Sequence, residues 1–355
     1  MSLRELYNKH IDYSGYYYPL VKYGTVTYGG SMNGEFVRCN GEWGKGFIIN
    51  KLPSVSMVSS IHFVNNGVAI IGNYDGEIYR SEAPYTTFTK VLDFIGTGAW
   101  SLSWSLAYNG DKIFISEYGL KGTDPNANGR HVYMSTDNGL TWVNCWTNPY
   151  EKYSHIHKVL YDTTDDCLYV ATGDGKPYTN LYRLSPPNYD NASSVVVKDI
   201  QPTGGLCFNK YNLWLQDGSP YGVYKQSKPS NDFVWSLDLG ADYIEYNDTF
   251  FDALKSYTHN GQTLAYCATY PSVSAHKYKV GFFKGKAPFE KTDWELVSTL
   301  DEFTHSNTES DGVRHFISVT DDEAFGEFDW MPKSPYGIRS QKAIKFTDYK
   351  KDLRA

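Results

Sequence analysis

Nowhere in these 355 residues do apolar side chains run together for the length of a bilayer. About 18 are needed in a row, so a membrane-spanning helix is excluded. Lys/Arg-rich runs are missing too. With 40 acids against 33 bases the net charge is −7, and the electrostatic footprint of a nucleic-acid binder is absent. The opening segment, MSLRELYNKHIDYSGYYYPL, carries charge throughout and has no apolar core, so it does not read as a signal peptide. The expected location is the cytoplasm, or a virion if the chain is phage-encoded. Cysteines are few: Cys39, Cys145, Cys167, Cys207 and Cys267, odd in number, widely spaced, with no C-x-x-C. Each falls in a strand-like run, which reads as buried free thiols rather than disulfides or metal ligands. No cofactor and no metal is expected.

No helical period emerges anywhere. What is abundant is Tyr (31), Gly (31) and Trp (9), set in short alternating runs bounded by Gly, Asn, Asp and Pro, the pattern of many short strands. The runs repeat. "GEFVRC" (34–39), "GEIYRS" (76–81), "RHVYMS" (130–135), "NLYRLS" (180–185), "YGVYKQ" (221–226), "KVGFFK" (279–284) and "YGIRSQ" (336–341) resemble one another. Their spacing of roughly 40–60 residues is that of four-stranded propeller blades. A turn and then usually an aromatic residue follows each; Ser81 to Phe88 spans the interval from Ser135 to Trp142. A pair of β-runs precedes each, as in "SIHFVNNGVAIIGN" and "HIHKVLYDTTDDCLYVATGD", which align Ile61 with Ile156 and His62 with His157. Every unit therefore reads as strands A, B, C and D. The expectation is an all-β single β-propeller domain over residues 1–355, of four-stranded antiparallel blades. Seven blades are favoured, with the N- and C-terminal segments closing the ring. The alternative is six, if those two segments share one blade.

The stretch "STDNGLTW" (135–142) fits a C–D hairpin. Asp137 accepts backbone N–H groups across the turn, Gly139 supplies a positive φ, and Ser135, Thr141 and Trp142 complete the pattern. The reading is structural, a turn held together.

Propeller topology sorts the candidate site. With C–D turns on one rim, the starts of A strands and the ends of B strands meet on the other. B-strand ends read "ISEYG", "ATGDG" and "LQDG", offering Glu117, Asp174 and Asp217. "HIH" puts His155 and His157 on one strand face, and His62 occupies the aligned position. A ring of acids and imidazoles is expected there. Glu117 and Asp174 are the candidate catalytic carboxylates, assisted by His155 and His157. His62, Tyr118, Arg130, Asp217, Tyr270 and Arg314 are candidate substrate-binding groups. The polar loops 117–130 and 269–279 would overhang that face, and Tyr74, Tyr118, Tyr178 and Tyr270 offer rings on which sugars stack.

S-x-D-x-G-x-T-W is the Asp-box pattern, and with "SEYG", "HIHKVLYD" and "TGDG" in order the chain resembles the Asp-box (BNR-repeat) sialidase-like propellers, nearest to bacterial and phage members, over residues 60–240. The resemblance implies a propeller with a carbohydrate ligand. A working sialidase also needs three arginines, a Tyr–Glu pair, an Asp and a Phe/Tyr-Arg-Ile-Pro motif. That motif is missing. Of eight arginines, Arg38, Arg80 and Arg183 end C strands and point to the wrong rim; Arg130 and Arg314 could reach the right one, and a third is not evident. The expected function is carbohydrate recognition, or a virion-associated role of the phage tail or adhesion type, without sialidase turnover. A glycoside hydrolase or polysaccharide lyase is the alternative, and a protein-interaction scaffold the second. The expected partner is a glycan or cell-surface polysaccharide, together with other virion proteins if the chain is phage-encoded.

Overall fold

The computed structural model describes residues 17–31, 33–39, 46–119, 129–150, 155–173, 178–217, 221–242, 254–259, 261–268, 280–300, 312–319, 323–330 and 338–345. Strands follow one another as meanders. Sheet one holds β1 (Tyr17–Tyr23), β2 (Val26–Ser31), β3 (Glu35–Cys39) and β4 (Gly46–Lys51). Sheet two holds β5 (Val58–Phe63), β6 (Ala69–Asn73), β7 (Glu77–Ser81) and β8 (Thr89–Asp93). Sheet three holds β9 (Leu106–Tyr108), β10 (Ile113–Ser116), β11 (His131–Ser135) and β12 (Val143–Thr147).

Sheet four holds β13 (His155–Asp162), β14 (Cys167–Gly173), β15 (Leu181–Leu184) and β16 (Val195–Lys198). Sheet five holds β17 (Pro202–Cys207), β18 (Tyr211–Gln216), β19 (Gly222–Ser227) and β20 (Phe233–Asp238). Sheet six holds β21 (Leu254–His259), β22 (Gln262–Ala268), β23 (Val280–Lys286) and β24 (Trp294–Leu300). A three-stranded sheet of β25 (Gly312–Val319), β26 (Glu323–Trp330) and β27 (Ile338–Lys345) comes last. Each of the seven repeated sequence runs overlaps the third strand of a sheet.

The chain divides into two compact units, residues 1–159 with 188–192, and residues 160–187 with 193–355. In the first, Phe36, Phe63, Ile71, Tyr79 and Tyr85 pack sheets one and two together, and Ile70, Ile78, Ile113, Ile115 and Tyr133 pack sheets two and three. In the second, Tyr169, Ala171, Ile200 and Trp214 form one core, and Leu215, Val223, Cys267, Phe283 and Phe289 another.

The repeat unit is defined more sharply by register than by sequence. All six four-stranded sheets have a bulge between the third and fourth strands at the same place: Phe36/Val37, Ile78/Tyr79, Val132/Tyr133, Leu181/Tyr182, Val223/Tyr224 and Phe282/Phe283. One extra residue on the outer strand adds local twist and bends it. A backbone bond across the open end of that hairpin also recurs. The N–H groups of Leu52, Phe94, Asn148 and Leu239 donate to the carbonyls of Gly34, Gly76, Arg130 and Tyr221.

Turns between third and fourth strands reach back to the preceding sheet. Ser135-Thr-Asp-Asn-Gly-Leu-Thr-Trp142 is a closed hydrogen-bonded knot. Asp137 Oδ1 accepts from Ser135 Oγ (2.8 Å), Leu140 N (3.0 Å) and Thr141 N (2.9 Å), and Oδ2 from Thr141 Oγ1 (2.5 Å). The Thr141 hydroxyl and N–H, with the other donors, hold this carboxyl down at about 2. Gly139 has a φ of +81°, and Trp142 Nε1 donates to its carbonyl at 3.2 Å. Arg80 of sheet two donates from Nε to Asn138 O at 2.9 Å, so an arginine expected on this rim ties the knot to its neighbour.

Elsewhere an aromatic plug does the same work. Tyr85 is buried beside Tyr28, Phe36 and Phe63, and its hydroxyl donates to Gly67 O at 2.9 Å. Tyr189 packs edge-on against Phe114, and Phe289 against Tyr211. In sheet five the turn is polar: buried Lys228 forms an ion pair with buried Asp162.

Four cysteines are free thiols in strands, as expected from their spacing. Burial pushes Cys145 up to about 12 and Cys167 to about 11. They stay protonated and unreactive near neutrality. Cys39 lies in β3.

Candidate functional site

Within the first unit, one edge of sheets two and three, together with the start of β13, gathers aromatic side chains: the edge where second strands end and third strands begin. Tyr74 follows β6, Trp100 and Trp104 lie between β8 and β9, Tyr118 follows β10, and His155 opens β13. Trp100 and Tyr118 are locked by reciprocal backbone bonds of 2.8 and 2.7 Å. Rings then meet in sequence. Tyr74 stacks on Trp100 (5.2 Å, 27°), Trp100 meets Tyr118 edge-on (5.7 Å, 67°), as does Trp104 (6.1 Å, 89°), and Tyr118 tilts over His155 (4.5 Å). Tyr74, Trp100 and Tyr118 are half-buried, leaving part of each ring to solvent.

His155 and His157 share a strand face as the alternation predicts. Their Nε2 atoms are 2.7 Å apart, and His155 Nδ1 is 3.1 Å from Gly119 O. A carbonyl only accepts, so Nδ1 of His155 carries a proton. In the neutral pair, His155 Nε2 then accepts from His157 Nε2–H. Both rings are buried. Gly129 pairs with His155 in an isolated parallel bridge. A Cβ on Gly129 would lie 2.5 Å from backbone atoms of Tyr118 and Gly119, so only glycine permits this approach.

Glu117 is not poised for chemistry. Its side chain is fully buried. Oε1 accepts from Ile95 N (3.0 Å), Gly96 N (3.0 Å) and Tyr133 Oη (2.6 Å). Oε2 accepts from Arg130 N (3.1 Å), His131 N (3.1 Å) and His131 Nδ1 (2.6 Å). A carboxylate offers about four lone-pair sites, so none is left for a substrate. Burial and the adjacent Glu117 charge push the Tyr133 phenol far up, so it donates as a neutral group. Glu117 is a strut joining the loop at 95–96 to the start of β11.

Strand register also redraws the expected ring of acids. Two residues beyond the partners of the bulged position, which are Gly29, Ile71, Ile115, Val170 and Trp214, Glu117 aligns with Ser31, Asn73, Thr172 and Gln216. Asp217 falls one residue further and Asp174 two. Every member of the aligned set is polar and buried, and each caps local backbone. Ser31 Oγ accepts from Asn33 N and Glu35 N. Asn73 Oδ1 accepts from Asp75 N and Glu77 N. Thr172 Oγ1 accepts from Asn180 N, and Gln216 Oε1 from Gln201 N. This is a structural position of the repeat, not a ring of carboxylates.

Asp174 and Tyr270 lie outside the described residues, as do most of the two long loops. Arg314 falls in β25. Asp217 belongs to the second unit, where its N–H donates to Gln201 O at 3.1 Å. His62 does not join the imidazole pair. It is the fifth of six residues in β5, opposite Ile70, whereas His155 and His157 are first and third in β13. The two strands start at the same edge, so His62 is near the other end. Tyr118 and Arg130 are brought to the aromatic edge. Trp100, Trp104 and Asn148 went unrecognised in the sequence; the Trp100 backbone pairing with Tyr118 follows from tertiary structure. No group of three or more His, Cys, Asp or Glu suited to a metal occurs among the described residues.

No family model matches the chain, and no curated protein does. Solved structures do. The WD40 β-propeller domain of Doa1 is 8% identical, with a TM-score of 0.57 over 93% of this chain and 93% of its own. The computationally designed Ika8 protein is 11% identical, with a TM-score of 0.54 over 92% of this chain and 83% of its own. Dihydro-heme d1 dehydrogenase NirN in complex with DHE is 12% identical over 89% of this chain and 63% of its own, with a TM-score of 0.48. The likeness to the WD40 domain shows the fold: an all-β propeller with six four-stranded antiparallel sheets. At these identities it shows nothing of activity.

Proposed function

We propose that the chain is a glycan-recognition propeller that binds without turnover, through the edge formed by sheets two and three and the start of β13. The carrying observation is the contiguous series Tyr74, Trp100, Tyr118 and His155, ring against ring, with three of its members half-buried. Aromatic faces present apolar area and a polar rim together, the combination that a sugar ring with its axial C–H groups and equatorial hydroxyls requires. The Trp100 indole N–H is buried without an acceptor among the described residues, and a sugar hydroxyl reaching it would supply one. The satisfied Glu117 carboxylate supports recognition over hydrolysis, because it has no free lone pair for a leaving group or water. We further propose a single seven-bladed ring over residues 1–355, closed by its terminal segments and supported by seven successive sheets.

A glycan array probed with wild type, Trp100→Ala and Tyr118→Ala tests the reading. Each ring supplies about 1–3 kcal/mol of a comparable stacking contact, so the variants should lose array signal about 5- to 100-fold while keeping the wild-type melting temperature within a few degrees. Equal array signal from all three proteins would discard this surface as the binding site.

A further inference from the structure

At the same edge, sheet three carries two buried donors with no acceptor. Arg130 precedes β11 and Asn148 follows β12. Their backbone bond, Asn148 N to Arg130 O at 2.9 Å, continues the pairing of His131 with Thr147 and Val132 with Trp146. Residues directly opposite in an antiparallel pair project on one face. Arg130 Nε and Asn148 Nδ2 are both buried, and among the described residues no oxygen accepts from either. Asn148 is fully buried, and its Oδ1 takes the Tyr150 N–H at 3.2 Å. That bond fixes the amide orientation and leaves the NH₂ end as the unsatisfied one.

Nearly all buried polar groups in folded proteins have partners. Two orphan donors on residues that face each other across one strand pair, one of them a guanidinium, define what is missing: an acceptor with negative charge. The planar fork of arginine matches carboxylate and sulfate oxygens. Glu117 does not supply it, because its oxygens are already taken by six donors, the Arg130 backbone N–H among them. The pair is continuous with the aromatic edge, since Gly129 bridges to His155 and packs on the Tyr118 backbone. We propose that Arg130 and Asn148 form an oxyanion subsite that takes the carboxylate or sulfate ester of an acidic sugar. The proposal rests on the glycan-recognition reading and names its substrate class.

The test is calorimetric titration of the full chain with three hexasaccharides, galactan, sulfated galactan and oligogalacturonate, alongside melting curves in inorganic sulfate. Proteins are wild type, Arg130→Gln and Asn148→Asp. No oxygen among the described residues accepts from Arg130 Nε, so Arg130→Gln removes no acceptor from that donor and should fold. Asn148→Asp keeps the oxygen that takes the Tyr150 N–H and gives Arg130 an internal carboxylate, so its melting temperature should rise. Wild type should prefer an acidic hexamer, the sulfated or the carboxylated arm identifying the group. Both variants should bind it about 10- to 100-fold more weakly, with galactan unaffected. Binding of galactan alone, or acidic binding unchanged in both variants, overturns the oxyanion subsite and leaves glycan recognition standing. If no hexamer binds but sulfate raises the melting temperature only when Arg130 is present, the subsite stands and the glycan reading falls. No hexamer binding and no Arg130-dependent sulfate effect overturn the subsite as well.

Discussion

Replacing Glu117 by Gln separates a strut from a catalyst, because the two roles predict opposite losses. The carboxylate serves three donors on each oxygen. In the amide, one oxygen becomes an NH₂ that accepts nothing. If it faces Oε1's partners, the N–H groups of Ile95 and Gly96 lose their Glu117 acceptor, while the Tyr133 hydroxyl can rotate. If it faces Oε2's partners, Arg130 N and His131 N do, while the His131 ring can change tautomer. In the first case Ile95 N keeps the Tyr133 hydroxyl as an acceptor (3.0 Å) and Gly96 N goes unsatisfied; in the second case two backbone donors do, at about 1–3 kcal/mol each. A loss of about 1–6 kcal/mol follows, set against the about 5–15 kcal/mol typical of a folded domain. Urea unfolding at neutral pH, followed by tryptophan fluorescence, reads it as a fall in midpoint at constant slope. A Glu117→Gln protein within about 0.5 kcal/mol of wild type would refute the strut. If that protein had also lost cleavage of a glycan that wild type degrades, the catalytic role would take its place.

Asp137 should leave its mark on pH dependence. Its folded-state value of about 2 lies below the ordinary carboxyl value of 3.8. Its contribution is therefore complete above the ordinary value and is lost as pH falls through about 2. The stability gap between wild type and Asp137→Asn should narrow from pH 5 to pH 2, by about 1 kcal/mol or less at this half-exposed site; a constant gap would contradict the assignment. Phe289→Ala, at a fully buried plug touching Phe208, Tyr211 and Trp294, should cost about 3–5 kcal/mol in urea unfolding. Phe289→Leu should cost far less. Lys228→Met strands the buried Asp162 charge and should cost about 3–5 kcal/mol, most of it recovered in Lys228→Met/Asp162→Asn. A double-mutant cycle without coupling would show that the pair contributes nothing.

The fold was written in the third strands, because five of them repeat an apolar–aromatic step at the position where the outer strand bulges. The hairpin from Ser135 to Trp142 was legible for the same reason: its bonds run between residues two to four apart. The site was less so. Glu117 looked like Asp174 and Asp217 because all three stand near strand ends, yet register makes Thr172 and Gln216 the equivalents of Glu117 in sheets four and five. A shift of one or two residues changes which group is buried against backbone. His62 matched His157 in an alignment of letters, but β13 is two residues longer than β5. Arg130 was visible as a charge. Its neighbour Asn148 was not, since an unsatisfied amide is a property of what surrounds it.

The most direct test of recognition without turnover is mass spectrometry of an array-positive oligosaccharide incubated for a day with wild type, Tyr118→Ala and Glu117→Gln. The account predicts a single intact mass in every sample, with the sugar retained on wild type and released from Tyr118→Ala. Shortened or unsaturated products from wild type, absent with Glu117→Gln, would contradict it and make this edge an active site.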